Sequence, residues 1–139
     1  MKKIKKIGLK PVFLLITLIL ALSFISNAYA FKSITSRKNS VAVNVSPEQL
    51  AKGGPVKFKI SMSTHSEELG EDIVAVCELK DDQGQVYRPV NWQGSPPGGH
   101  HRSGVLEFPE LKGNPGSVTL IIRNIANVPE RIFEWELKQ

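Results

Sequence analysis

Three histidines are the residues with the clearest chemical potential in this 139-residue sequence. His65 stands in the segment Thr64-His65-Ser66, at the end of a predicted strand, and His100 and His101 stand side by side in a loop rich in glycine and proline. A neutral imidazole is the commonest side-chain ligand for zinc, copper and nickel. The histidines therefore predict a site for a divalent transition metal, in which His65 meets His100 or His101.

The spacing of the histidines leaves a second interpretation open. Neighbours in an extended chain point to opposite sides, so His100 and His101 can reach one ion only if the loop curls. Gly98 and Gly99 permit such a curl, but the spacing matches no established metal signature. In the alternative, one of these histidines bonds loop carbonyls while the other is solvated or packs on Trp92. The domain is then a structural or protein-interaction module of the cell envelope with no metal.

Trp92 and Arg102, which flank the histidine pair, are candidate ligand contacts. An indole ring can stack on a sugar or a peptide, and a guanidinium can bind an anion beside glycine amides. The competing interpretations are a core or corner position for Trp92 and an ion pair with a surface carboxylate for Arg102.

Cys77, the only cysteine of the chain, does not complete a blue-copper site. Such a site needs one cysteine, two histidines and a weak axial ligand such as methionine. Met62 precedes Cys77, the paired histidines follow it by more than twenty residues, and no methionine lies near them. Cys77 is instead predicted to be a small buried hydrophobic residue, without an intramolecular disulfide.

Catalytic residues are not evident in the sequence. A nucleophile needs a base within hydrogen-bond reach and a third group that orients the base. Ser66 and Ser103 lie near a histidine in sequence only, and adjacent residues rarely point at each other in an extended loop. We expect no enzymatic activity.

The first thirty residues have the pattern of an export signal. Five lysines stand among the first ten residues, an apolar run follows over residues 12–25, and Ala28-Tyr29-Ala30 offers a small-x-small cleavage site. This pattern predicts a signal peptide, residues 1–30, that is cleaved after Ala30, and a periplasmic or extracellular protein. An uncleaved anchor is the alternative, but a spanning helix needs roughly 20 apolar residues. We expect no stable membrane span after cleavage.

Cleavage would also remove the excess of positive charge. The chain has 18 lysines and arginines and 13 acidic residues, which gives a net charge of +5. All five lysines of the predicted signal leave and no acidic residue does, so 13 basic residues face 13 acidic ones. The basic balance is therefore no argument for a nucleic-acid partner.

The remaining chain predicts an all-β fold. Residues 31–39 show no periodicity and are predicted to be a flexible tether, followed by a single domain over residues 40–139. Seven segments alternate apolar and polar residues or form short apolar runs: 41–45, 56–62, 72–79, 85–88, 104–108, 118–122 and 131–137. This profile is typical of an antiparallel two-sheet sandwich of the immunoglobulin or fibronectin type, with a small barrel as the alternative.

Several of these segments together resemble a known pattern. The motif Thr64-His65-Ser66, Trp92, the run GGHHRSGVLEF over residues 98–108 and the closing segment RIFEW over residues 131–135 resemble a family of small exported bacterial β-sandwich domains. The resemblance covers most of the chain after residue 30, and the GGHH segment is its most specific part. It implies an immunoglobulin-like sandwich and export, and no assigned activity.

Overall fold

The computed structural model of the protein describes residues 30–137. This part of the chain forms nine strands and one short helix. In chain order they are β1 (Ile34–Lys38), β2 (Val41–Gln49), β3 (Val56–Thr64), α1 (Ile73–Val76), β4 (Cys77–Asp81), β5 (Val86–Tyr87), β6 (Asn91–Gly94), β7 (His101–Phe108), β8 (Ser117–Ile125) and β9 (Val128–Glu136). The predicted signal peptide lies outside the described residues, apart from Ala30. Between residues 30 and 137, no helix is long and apolar enough to cross a membrane.

The strands form two antiparallel sheets. One sheet has the strand order β1-β2-β3-β7-β6 and the other the order β5-β4-β8-β9. Apart from β1, these are the A-B-E-D and C′-C-F-G orders of an immunoglobulin-like sandwich. The prediction of an all-β, two-sheet antiparallel sandwich is confirmed, and the barrel alternative is wrong.

Alternate residues of each strand fill the space between the sheets. In β3 the inward residues Val56, Phe58, Ile60 and Met62 are at most 2% exposed, while the residues between them face outward. Phe58 meets Trp135 of the opposite sheet, with ring centroids 5.1 Å apart. One continuous apolar cluster thus joins both sheets, so packing holds the domain together without a disulfide.

Residues 34–38 belong to the fold, and the prediction of a flexible tether is wrong for them. They form β1, which pairs with β2 through a tight turn at Asn39 and Ser40, two residues with positive φ (47° and 62°). In β1 only Ile34 is a large apolar residue. The strand therefore lacks the alternation of apolar residues by which a strand is predicted.

The apolar run over residues 72–79 is half helix and half strand. Asp72 caps the single turn of α1 by accepting a hydrogen bond of 3.0 Å from the amide of Val74, and β4 begins only at Cys77. The prediction of one continuous central strand is wrong in its first half, because a short apolar run has no period that distinguishes helix from strand. β6 also lies outside the seven predicted strand segments.

Arg131 closes the side of the sandwich where β1 and β9 form the two sheet edges. Its side chain is 0% exposed, and its guanidinium donates to the carbonyls of Lys38, Val41 and Ser36 at 2.9, 3.3 and 3.4 Å and to the Ser36 hydroxyl at 3.1 Å. Burial lowers the pKa of Arg131. The Trp135 indole adds a hydrogen bond of 2.7 Å to the Lys32 carbonyl. Polar groups of β9 therefore hold the N-terminal strand in place.

Glu78 is nearly buried although it lies on the outer face of the four-stranded sheet. It is 5% exposed because three basic side chains cover its carboxylate: Arg123 at 2.7 Å, Arg88 at 3.1 Å and Lys80 at 3.2 Å. The hydrogen bond from Arg123 is the largest cause that lowers the pKa of Glu78. The carboxylate is therefore stabilised in its ionised form.

This lowered pKa predicts a loss of stability in acid. The contribution of Glu78 is complete above 4.5, the ordinary pKa of a glutamate, and is lost as the pH falls through the lower pKa of the folded state. We expect the free energy of unfolding to decrease in this range and Glu78→Gln to weaken the decrease, as measured by urea denaturation at a series of pH values. Glu130→Gln is the control, since Glu130 is a more exposed partner of the same Arg123. An unchanged pH slope in Glu78→Gln would contradict the assignment.

Candidate functional site

One end of the sandwich carries all three histidines. β3 ends at Thr64 and β7 begins at His101, and these antiparallel strands place Ser63 opposite His101. The pairing brings the residue after β3, His65, to the same end as the residue before β7, His100. We call this region the histidine end and define it by the loops 65–72 and 95–100 and the turn 39–40 of the β1–β2 hairpin.

Backbone hydrogen bonds join the two histidine segments. The amide of Thr64 donates to the His100 carbonyl at 3.0 Å, the amide of Leu69 donates to the Gly99 carbonyl at 3.0 Å, and the amide of Gly98 donates to the Leu69 carbonyl at 2.8 Å. Gly98 and Gly99 have φ values of 109° and 75°, which L residues with a side chain rarely adopt. These glycines provide the curl that brings residues 98–100 against residues 64–69.

Arg102 forms hydrogen bonds to the loops 65–72 and 95–100 from the inside of the sandwich. It is 2% exposed, and its Nη1 donates to the carbonyls of Leu69 at 3.0 Å and Glu71 at 2.7 Å, while Nη2 makes a longer contact of 3.5 Å with the Ser95 carbonyl. Burial lowers the pKa of Arg102, and the charges of Glu71 and Asp72 partly oppose this effect. The guanidinium therefore replaces water as the donor for carbonyls of two different loops.

The prediction that Arg102 pairs with a surface carboxylate is wrong. In β7 the side chain of Arg102 is on the same face as those of Leu106 and Phe108, which are fully buried. The alternation of β7, extended back from Phe108, contains this information, because it places residue 102 on the inward face. So little of the side chain is exposed that almost none remains for a ligand on the surface.

The three histidine side chains themselves are exposed. Beneath them, the buried Thr64 accepts hydrogen bonds at Oγ1 from the amides of Ser66 and Glu67, both at 3.2 Å, which turns the chain outward at His65. Among residues 30–137, no three or more His, Cys, Asp or Glu side chains are grouped so that they could hold a metal ion.

Trp92 lies half-buried across two glycines. Its indole N–H donates to the Ser95 carbonyl at 3.0 Å, and Gly94 of β6 faces Gly104 of β7. A Cβ atom would approach the ring to within 2.9 Å at Gly94 and 2.8 Å at Gly104. The two glycines thus make room for the indole, an arrangement that favours a packing role for Trp92 over a stacking surface for a ligand.

Cys77 is fully buried in β4. Burial, and to a smaller extent the charge of Asp72, raises the pKa of its thiol to about 12. A thiol must lose its proton to act as a nucleophile or as a metal ligand. In the native fold Cys77 is therefore a packing residue, as its sequence context predicted.

Comparisons with known proteins add no family to this description. No family model matches the chain. A search of curated proteins found no match either. The class of the protein is therefore defined by its fold, a two-sheet immunoglobulin-like sandwich with a polar, histidine-bearing end, and the resemblance to exported bacterial domains stays a prediction.

Proposed function

We propose that this protein is an exported, non-enzymatic binding module whose binding surface is the histidine end. The observation that supports this proposal best is the joining of residues 64–69 to residues 98–100 by three backbone hydrogen bonds, with the buried Arg102 beneath them. Loops held in a fixed arrangement on a rigid scaffold lose little entropy when they bind, and binding residues are concentrated on such loops. Exposed imidazoles on an ordered surface are consistent with that role.

The first ligand we propose is a divalent transition metal ion such as copper, zinc or nickel. His65 together with His100 or His101 supplies two imidazoles from adjacent, hydrogen-bonded segments. Water or groups of a second molecule complete the coordination, because a tetrahedral site needs four ligands. Such an open site binds a metal more weakly than a closed structural site, and it suits an ion that is shared with a partner.

The exposure of all three histidines favours a second candidate function. Since residues 30–137 contain no group of three or more ligating side chains, the same surface is also suited to an envelope protein that binds without a metal. The histidines then act as ordinary polar contacts. Both candidates use the same loops, and they differ in whether a metal is needed.

Metal titration distinguishes the two candidates. We expect the untagged protein to bind one equivalent of Cu(II), Ni(II) or Zn(II) with a Kd on the order of 10 μM, as measured by calorimetry. His65→Ala should weaken binding at least about tenfold, because a two-histidine site loses half of its protein ligands. The same titration of His100→Ala and His101→Ala identifies the second ligand, as the variant that loses metal affinity.

Two controls make the titration decisive. Ser63→Ala changes an exposed residue that lies opposite His101 but is not a ligand, and it should leave the metal affinity unchanged. The variant without all three histidines gives the background of the remaining surface. If the native protein binds no more tightly than this variant, the metal proposal is wrong and metal-free binding of an envelope protein remains.

A further inference from the structure

An open cleft of about 360 Å³ lies at the histidine end, between the β1–β2 hairpin and the end of β3. Its volume is at the lower end of the range of ligand pockets, which suits a small ligand. Its polar lining residues include Arg37, Lys38, Ser40, Ser63 and His65, and within residues 30–137 no aspartate or glutamate lines it. The composition of the lining therefore favours a ligand with negative charge.

The register of the five-stranded sheet explains why a cleft forms here. Arg37 of β1 lies opposite Ala42 of β2, and Ala42 lies opposite Ser63 of β3. The three residues form one row on the outer face, and strands spaced about 4.8 Å apart put the Cα atoms of Arg37 and Ser63 roughly 10 Å apart. Only the methyl group of Ala42 stands between them. The row is thus a trough with an apolar floor at Ala42, bordered by Arg37 on one side and Ser63 on the other.

Positive charge at this trough is not neutralised by nearby carboxylates. Within residues 30–137, neither Arg37 nor Lys38 forms an ion pair. Beneath the hairpin, the buried Arg131 donates to the carbonyls of Lys38 and Val41, and its described hydrogen bonds all go to carbonyl or hydroxyl oxygens. Arg37 and Lys38, which line the cleft, are therefore the cationic residues that raise the local concentration of anions there, while the buried Arg131 lies outside the lining.

We propose that this cleft binds a phosphate group. A guanidinium donates two parallel hydrogen bonds to an oxyanion, so Arg37 is the principal contact, while Lys38 and the hydroxyls of Ser40 and Ser63 supply further donors. This number of donors exceeds what the two oxygens of one carboxylate can use, whereas a phosphate has three or four. Phosphate binding goes beyond the metal proposal and does not depend on it. His65 borders the cleft and is also a proposed metal ligand, but the principal phosphate contact, Arg37, is not.

Amide chemical shifts test this site directly. Untagged, metal-free protein is titrated with inorganic phosphate at constant ionic strength and followed by ¹⁵N–¹H correlation spectra. We expect saturable shifts confined to residues 37–42 and 63–65, with a Kd on the order of 1 mM. Arg37→Gln should weaken binding at least about fivefold, because it removes the bidentate donor. Ala42→Phe fills the trough without changing the charge and should abolish saturable binding.

The matched control is Arg88→Gln, which removes an exposed arginine just after β5, at the edge of the other sheet, and should leave the phosphate affinity unchanged. Amide dispersion away from the cleft verifies that each variant is folded. Shifts that do not saturate, an equal loss of affinity in Arg88→Gln, or equal binding of acetate would overturn the proposal.

Glycerol 3-phosphate is a second probe of the cleft. Tighter binding than that of inorganic phosphate supports a phosphomonoester as the ligand, and equal binding supports phosphate itself. Arg37→Gln should leave the metal titration unchanged, so failure of one proposal is distinguishable from failure of the other.

Discussion

Arg131→Ala is expected to lower the free energy of unfolding by about 3 to 5 kcal/mol. The guanidinium is fully buried and is the donor for the carbonyls of Ser36, Lys38 and Val41. Its removal takes a charge-assisted hydrogen bond from each of these carbonyls, each worth on the order of 1 kcal/mol or more, and it opens a cavity. Urea denaturation followed by tryptophan fluorescence measures the change.

Two further variants separate charge from geometry in this prediction. Arg131→Lys keeps the charge but carries its donors on a single nitrogen, which cannot serve carbonyls on both sides of the hairpin, so we expect an intermediate loss of about 2 kcal/mol. Arg37→Ala removes an exposed arginine of the same hairpin and should change stability by no more than about 0.5 kcal/mol. Equal stabilities of Arg131→Ala and Arg37→Ala would show that the buried hydrogen bonds do not hold β1.

The strands that could be predicted from the sequence are those whose own residues carry the pattern of burial. β3 is an example, because every second residue from Val56 to Met62 faces the core. A period of two is a local property, and it follows from packing one face of a sheet. β1 could not be predicted in this way, since it is held through Arg131, which lies 95 residues from Ser36. No local pattern contains a contact of that separation.

The candidate site was predictable as a set of residues and not as an arrangement. The three histidines are evident from composition, but their common location depends on the pairing of β3 with β7, which joins Ser63 to His101. Arg102 is the opposite case, because its inward position follows from the alternation of β7, while its hydrogen-bond partners depend on two distant loops. Charged residues are usually exposed, and that general tendency gave the wrong prediction here.

Arg102→Ala is expected to loosen the histidine end and to destabilise the domain by about 2 to 4 kcal/mol. The carbonyls of Leu69 and Glu71 each lose a hydrogen bond from a buried donor, and the Glu71 carboxylate loses the positive charge with which it interacts. Glu71 also has a buried Oε2 without a hydrogen-bond partner among the described residues. The loss of a nearby cation should therefore raise the free-energy cost of burying this carboxylate. Urea denaturation measures the stability.

Hydrogen exchange shows where the loss of Arg102 acts. We expect faster amide exchange in residues 64–72 and 95–100 and little change in β8 and β9, because Arg102 bonds only the loops of its own end. The pattern should be the reverse of that in Arg131→Ala, where β1 is released first. Ser103→Ala, at the exposed neighbouring position of β7, is the control and should leave exchange unchanged.

The Arg102→Ala variant also links the stability of the loops to metal binding. Arg102→Ala removes no histidine, yet the segments that bear His65 and His100 lose their common support, so any metal affinity of the native protein should fall at least about fivefold. Arg102→Lys should restore only part of this loss, because an ammonium group cannot replace the fork that spans Leu69 and Ser95. If Arg102→Ala leaves both loop exchange and metal affinity unchanged, the backbone hydrogen bonds alone fix the histidine end. In that case Arg102 only fills the core.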